Sequence, residues 1–180
     1  ERAASVIRRL REQVRREPAT PELVDLNQLV REALRLTTTD ARHRGATARL
    51  DLDATIPPVL GDRVQLQQIL INLLLNALDA VDKCPPPRGV TIRTRVDAGR
   101  VVVSVSDSGA GIPEESLEKV FEPFFSTKPG GLGVGLPLSR TLAEAHGGTL
   151  RAANAPGGGA ILVLSLPAAT SSGGSGPEGR

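Results

Sequence analysis

Gln65, Gln68, Asn72, Asn76 and Asp79 are spaced 3, 4, 4 and 3 apart, which places all five on one face of a helix. A solvated helix face ordinarily carries Lys, Glu or Arg. Asn is a poor helix former, because its amide competes for the backbone. Two Asn one turn apart in an otherwise apolar run therefore point to a ligand. A side-chain carbonyl is a neutral oxygen donor of the kind Mg²⁺ accepts beside waters and phosphate oxygens.

Two glycine-rich segments follow. Asp107-Ser-Gly109-Ala-Gly111-Ile112 comes at the end of a β-branched run. Glycines let backbone approach a ligand closely, and an aspartate beside them can accept a hydrogen bond from an exocyclic amine such as adenine N6. The same residues also suit a plain turn. Gly131-Leu132-Gly133-Val134-Gly135-Leu136 stands just before a helical pattern, where backbone N–H groups and the helix dipole make an anion site. The residue three places after Gly133 is Leu136, so the dinucleotide-binding fingerprint fails, and no Gly-Lys-Ser/Thr occurs, which excludes a Walker A loop.

Between these segments lies Phe121-Glu-Pro-Phe124-Phe-Ser-Thr-Lys128, the start of an aperiodic stretch reaching residue 134. Loops of that length inside a compact domain are often lids. Lys128 could reach a phosphate from it or simply be solvated. His43 and His146 are the only imidazoles, and neither has a nucleophile near it in sequence. His146 before Gly147-Gly148 suits a helix C-terminus. Covalent catalysis is not expected.

The elements that must position these residues can be read in outline. At 180 residues the chain is long enough for one well-cored domain with a short attachment. A net charge of +2 and 2% aromatic residues argue against a nucleic-acid surface, which needs a basic face and stacking rings. Cys84 is the sole cysteine, so an intrachain disulfide and a cysteine zinc site are excluded. No apolar run reads as a membrane span and no signal peptide opens the chain. The absence of Met and a start inside a helical pattern suggest a piece of a longer protein.

Residues 1–17 carry Val6, Ile7, Leu10 and Val14 at helical spacing, either a helix packed on a partner helix or a solvated terminal one. Pro18 and Pro21 mark a linker over 18–22. A helix is predicted over about Asp25 to Arg44 with Asp25 as N-cap, then a strand over Ala48 to Asp53, and a helix over 63–82 capped by Asp62. Gly89–Asp97 and Arg100–Asp107 flank Ala98-Gly99 as a hairpin. A short helix should follow Pro113, a further helix spans 135–146, and strands cover Thr149–Ala153 and Ala160–Leu166. Residues 169–180 are Ser/Gly-rich and read as a disordered tail. This order predicts an α/β (α+β) two-layer sandwich over 23–168, a mixed sheet covered on one face by helices.

Asn72-x-x-x-Asn76, Asp107-x-Gly109-x-Gly111, the Phe121–Lys128 segment and Gly131–Gly135 resemble, in order, the N, first glycine, F and second glycine boxes of sensor histidine kinases. The likeness covers about residues 23–167 and looks most like the nitrogen-regulation and dicarboxylate-sensor branch. It implies the Bergerat ATP-binding fold shared with gyrase, Hsp90 and mismatch-repair ATPases, with ATP and Mg²⁺ as cofactors. By position, Asn76 would bind Mg²⁺, with Asn72 and Asp79 beside it. Asp107 would hold the adenine amine, with Gly109, Gly111 and Ile112 as that wall. Phe121, Lys128, Gly131, Leu132, Gly133, Val134, Gly135 and Leu136 would form the lid and phosphate side, with Asn72 and Lys128 nearest the transfer.

The implied reaction is phosphoryl transfer from ATP to a histidine, which asks mainly for positioning and charge neutralisation. Residues 1–17 resemble the end of a dimerisation and phosphoacceptor helix. The implied partners are that domain and a response regulator. The resemblance implies a cytoplasmic setting, with a homodimeric parent, membrane-anchored or not; the piece itself is expected to be monomeric. The chain departs from the family at four places. It lacks the acceptor-histidine box, so it is not expected to autophosphorylate alone. Asp79-Ala80 stands where many members have Lys-Tyr, Ala160 where Thr is common, and Leu132 where a lid Thr is common. Three rival readings remain: a hydrolytic ATPase of the gyrase or Hsp90 kind, which would need a Glu at Asn72, a non-catalytic nucleotide-binding module, and the anti-sigma serine kinase group, which lacks a preceding dimerisation helix.

Overall fold

The computed structural model describes residues 20–126 and 132–169. The readings placed on residues 1–17, Lys128, Gly131 and residues 170–180 lie outside these. The elements are β1 (Glu22–Val24), α1 (Leu26–Leu36), α2 (Thr38–His43), β2 (Thr47–Leu52), β3 (Val59–Gly61), α3 (Arg63–Asp82), β4 (Gly89–Asp97), β5 (Arg100–Asp107), α4 (Gly135–Ala145), β6 (Thr149–Asn154) and β7 (Ala160–Pro167). Single 3₁₀ turns lie at Glu114–Ser116 and Lys119–Phe121.

The predicted caps form. Asp25 Oδ1 accepts from the Asn27 and Gln28 amides at 2.8 and 3.1 Å, and Asp62 Oδ1 from those of Val64 and Gln65 at the same two distances. The single helix expected over 25–44 is instead two, broken at Thr37. The Thr37 hydroxyl donates to the carbonyls of Ala33 and Leu34, and that of Thr38 also to Leu34. A run of hydroxyl side chains bonding back into the preceding turn weakens continuation of a helix.

Five strands form one sheet in the order β2-β4-β5-β7-β6. The β2/β4 pair is parallel and the others antiparallel, so the sheet is mixed. β1 and β3 make a separate antiparallel pair with Leu23 opposite Leu60. Three-residue strands are too short to show alternation, and the sequence reading missed both. Alternate residues of β7 are buried, as are Ile92 on β4 and Val103 and Val105 on β5, and they join a core with Leu29 of α1, Leu70 and Leu73 of α3, and Leu142 of α4. Each such buried leucine contributes on the order of 2 kcal/mol. Arg93 and Arg95 project from the other face, so helices cover the sheet on one side, as predicted.

Among the described residues α3 is the one helix long and apolar enough to cross a membrane, which the sequence reading had not noticed. Eight of its side chains are buried against the other elements, the pattern of a core helix. Ala168 and Ala169 donate backbone bonds to the Gly99 and Pro58 carbonyls.

Candidate functional site

The face of α3 that carries Asn72 and Asn76 is met by both glycine segments. A Cβ on Gly109 would lie 2.8 Å from the Ala80 carbonyl oxygen, so the Asp107–Gly111 backbone rests on α3 one turn beyond Asn76. A Cβ on Gly135 would overlap the Asn72 amide oxygen, so the start of α4 rests on α3 one turn before Asn76. The interval from Asn72 to Ala80 is about 12 Å at 1.5 Å per residue. Asn76 stands at its middle, half-buried.

Asn72 donates from Nδ2 to the Ser139 hydroxyl of α4 at 2.8 Å, and Ser139 is 2% exposed. Asn76 donates from Nδ2 to the Asn72 backbone carbonyl at 2.8 Å. Asp107 closes β5 and is buried. Its Oδ1 accepts from the amides of Gly109 at 2.8 Å and Ala160 at 3.2 Å, which orients the carboxylate.

Both α1 and α3 have an aspartate accepting from their first amides, whereas α4, with Val134 at its N-cap, has no side-chain cap. Its first-turn N–H groups therefore have no side-chain acceptor of the helix's own. Gly133 has φ +62° and donates no side chain into a space already filled by the Phe125 carbonyl. The Phe124 amide bonds to the Gly133 carbonyl at 2.8 Å, so the two described ends of the 121–134 stretch are joined at their base. Leu132 is exposed, while Val134 and Leu136 are half-buried, Leu136 against the core.

Two further predicted residues have partners within the protein. Phe121 is buried in the core, with the Arg140 guanidinium 5.0 Å from its ring centroid. Asp79 is exposed and forms an ion pair with Arg44, Oδ1 to Nη2 at 2.7 Å, rather than standing open beside Asn76. Burial works to lower the Arg44 pKa, and the hydrogen bonds and charges of Asp40 and Asp79 outweigh it, leaving it raised. Gln65 is half-buried and Gln68 exposed, along the same face. His146 accepts from the Asp62 amide at Nε2 (3.0 Å) and bonds the Leu142 carbonyl through Nδ1 (2.7 Å), a structural pin between α3 and α4. Among the described residues no group of three or more His, Cys, Asp or Glu could hold a metal.

Sequence reasoning missed Ser139, Asn154 and the Ala160 amide. Asn154 bonds both the amide and the carbonyl of Ile112, at 2.8 and 2.7 Å. Ser139 was detectable in principle, as a small polar residue one turn after Gly135. An asparagine before Ala-Pro-Gly-Gly-Gly looks like an ordinary turn former, and nothing local distinguishes it.

Residues 61–170 match the family described as histidine kinase-, DNA gyrase B-, and HSP90-like ATPase. The chain is 40% identical over 168 residues to the sensor protein FixL of Bradyrhizobium diazoefficiens, spanning 93% of this chain and 33% of that protein. It thus corresponds to about a third of the length of this relative. The catalytic domain of the histidine kinase ThkA superposes with a TM-score of 0.73 at 34% identity, covering 82% of this chain and 95% of that one. ThkA in complex with the response regulator protein TrrA gives a TM-score of 0.74 at 29% identity, covering 93% of this chain and 48% of that one.

Proposed function

The chain belongs to the histidine kinase-, DNA gyrase B-, and HSP90-like ATPase family and carries the ATP-binding domain of a sensor histidine kinase; from this premise we propose that it presents Mg²⁺-bound ATP for transfer of the γ-phosphoryl group to a histidine on a separate dimerisation domain. The observation that carries the reading is the meeting of both glycine segments on one face of α3, at Ala80 and at Asn72, with Asn76 between them. In the proposed arrangement an adenine end and a phosphate end would lie on either side of a neutral oxygen donor.

In this reading Asp107 accepts the adenine amine, held in orientation by the Gly109 and Ala160 amides. The uncapped first turn of α4 donates to the phosphates. Asn76 Oδ1 would be a protein ligand to Mg²⁺, which would supply charge neutralisation along the phosphates. The donor set fits: a hard, neutral oxygen beside a triphosphate needs no acidic cluster, since phosphates and water complete the shell. Transfer breaks the bond between the β–γ bridging oxygen and the γ-phosphorus and forms a phosphorus–nitrogen bond, and the histidine gives up a proton. The protein's part is to align these atoms.

Hydrolysis of the gyrase kind is less well supported. That mechanism needs a carboxylate base one turn before the metal residue, and here Asn72 occupies the position and spends its amide on Ser139. A response regulator as downstream partner rests on likeness to ThkA, whose complex with TrrA is similar in fold. The proposed setting is the cytoplasm, where ATP is plentiful.

The test is calorimetric titration of the chain with a non-hydrolysable ATP analogue, with and without Mg²⁺. The expected result is magnesium-dependent binding, followed by labelling of a separately supplied phosphoacceptor domain from radioactive ATP. Tight binding with no labelling of any acceptor domain would favour a regulatory module instead.

A further inference from the structure

Strand β6 ends at Asn154 and β7 begins at Ala160, directly opposite it in the ladder. The connection between them turns back on itself, the Ala155 amide bonding the Gly159 carbonyl at 2.9 Å. Both ends of this connection reach the wall made by residues 107–112. From the β7 end, the Ala160 amide donates to Asp107 Oδ1. From the β6 end, Asn154 Nδ2 donates to the Ile112 carbonyl while its Oδ1 accepts from the Ile112 amide. The approach is close on both sides. A Cβ on Gly111 would lie 2.9 Å from Asn154 Oδ1, and one on Gly159, at φ +84°, would overlap the Asp107 carbonyl.

A primary amide carries a donor NH₂ and an acceptor oxygen side by side, so one asparagine can satisfy the amide N–H and the carbonyl of the same residue together. Aspartate accepts but cannot donate, and serine is too short to span both. Ile112 lies outside any helix or strand, so this pair replaces the ladder that would otherwise hold its backbone. The segment from Asp107 to Ile112 is therefore fixed at both ends by one turn, at the carboxylate and five residues later. A carboxylate reads an exocyclic amine only if its direction is set, because hydrogen bonds weaken steeply with angle.

We propose that Asn154 is a positioning residue for nucleobase recognition, holding the Gly109–Ile112 backbone, and through it the Asp107 carboxylate, in the geometry that distinguishes adenine's 6-amine from a 6-carbonyl. The inference rests on the ATP reading above. It assigns nucleobase selectivity to a residue outside the four motifs, at the end of β6. Asn154 is exposed, so Asn154→Ala removes two hydrogen bonds and Asn154→Asp one, with little packed volume lost.

The experiment uses the whole 180-residue chain and its Asn154→Asp and Asn154→Ala variants. Affinities for ATP and inosine triphosphate are measured by competition against a fluorescent ATP analogue, and melting temperatures are recorded alongside. Inosine differs from adenosine by carrying a carbonyl where adenine has its amine. Both variants should weaken ATP roughly five- to tenfold and shrink the ATP-to-inosine ratio, while inosine triphosphate changes little. A purely structural role would lower the melting temperature and weaken both nucleotides equally. An unchanged ratio in both variants overturns the proposal. Failure of the unaltered chain to bind ATP would instead overturn the ATP reading, and this inference with it.

Discussion

Asn72 on α3 and Ser139 on α4, 67 residues apart in sequence, are joined by a 2.8 Å hydrogen bond from the asparagine amide to the serine hydroxyl. The bond locks the helix bearing the proposed metal residue to the helix whose first turn is proposed to hold the phosphates. Gly135 makes the approach possible, since any side chain there would occupy the space of the Asn72 amide.

Replacing Ser139 with alanine should cost about 1 kcal/mol of stability, the usual loss when a buried hydrogen-bond partner is removed. Urea unfolding would read it as a lower midpoint with an unchanged slope. ATP affinity should fall as well, because Asn72 is released. A variant as stable and as tight-binding as the parent would show that the bond orients nothing.

Asn76→Ala removes a proposed metal oxygen and little core volume, as the residue is only half-buried. The magnesium-dependent part of ATP affinity should fall by at least about tenfold, the loss that follows even when a residue behind a metal ligand is removed. The far-ultraviolet spectrum should be unaltered. Magnesium dependence equal to the parent's would remove Asn76 from the metal shell.

Asp107→Asn keeps the shape but replaces a charged acceptor. If the new amide turns its NH₂ toward the Gly109 and Ala160 amides, donor faces donor; if it turns away, that NH₂ faces the adenine amine instead. ATP affinity should drop roughly tenfold or more, given that bonds to charged groups are worth about 1.5–3 kcal/mol. Preference for ATP over GTP should erode with it. Competition binding with both nucleotides decides; an unaltered ratio would rule out the adenine role.

Asp79→Ala separates the sequence expectation from the structural one. Because Asp79 is exposed and paired with Arg44, its loss should change stability by no more than about 1 kcal/mol. ATP affinity should stay close to that of the parent chain. A large loss of affinity in calorimetry would return Asp79 to the ligand set.

Much of this protein could be read before folding it. The caps at Asp25 and Asp62, the hairpin about Ala98-Gly99 and the helices after Asp62 and before His146 are local events, each set by a side chain within a few residues of the backbone it serves. The ordered motifs named the family, since residue types at fixed short spacings survive in a linear string. The break at Thr37 was equally local, and the run of three threonines was there to be weighed.

The wall behind the motifs was not legible. Asn154 and Ile112 lie 42 residues apart, Asp107 and Ala160 are 53 apart, and Asp62 meets His146 across 84. Spacing along the chain carries no sign of such pairs. Nor does spacing show that Phe121 packs beneath Arg140 or that Asp79 pairs with Arg44. The sequence by itself determined which chemistry the chain can carry, through the types and short-range order of its polar residues. Only the tertiary structure decided which of those residues face one another, because partners distant in sequence are brought together by burying the apolar faces of helices and sheet against each other.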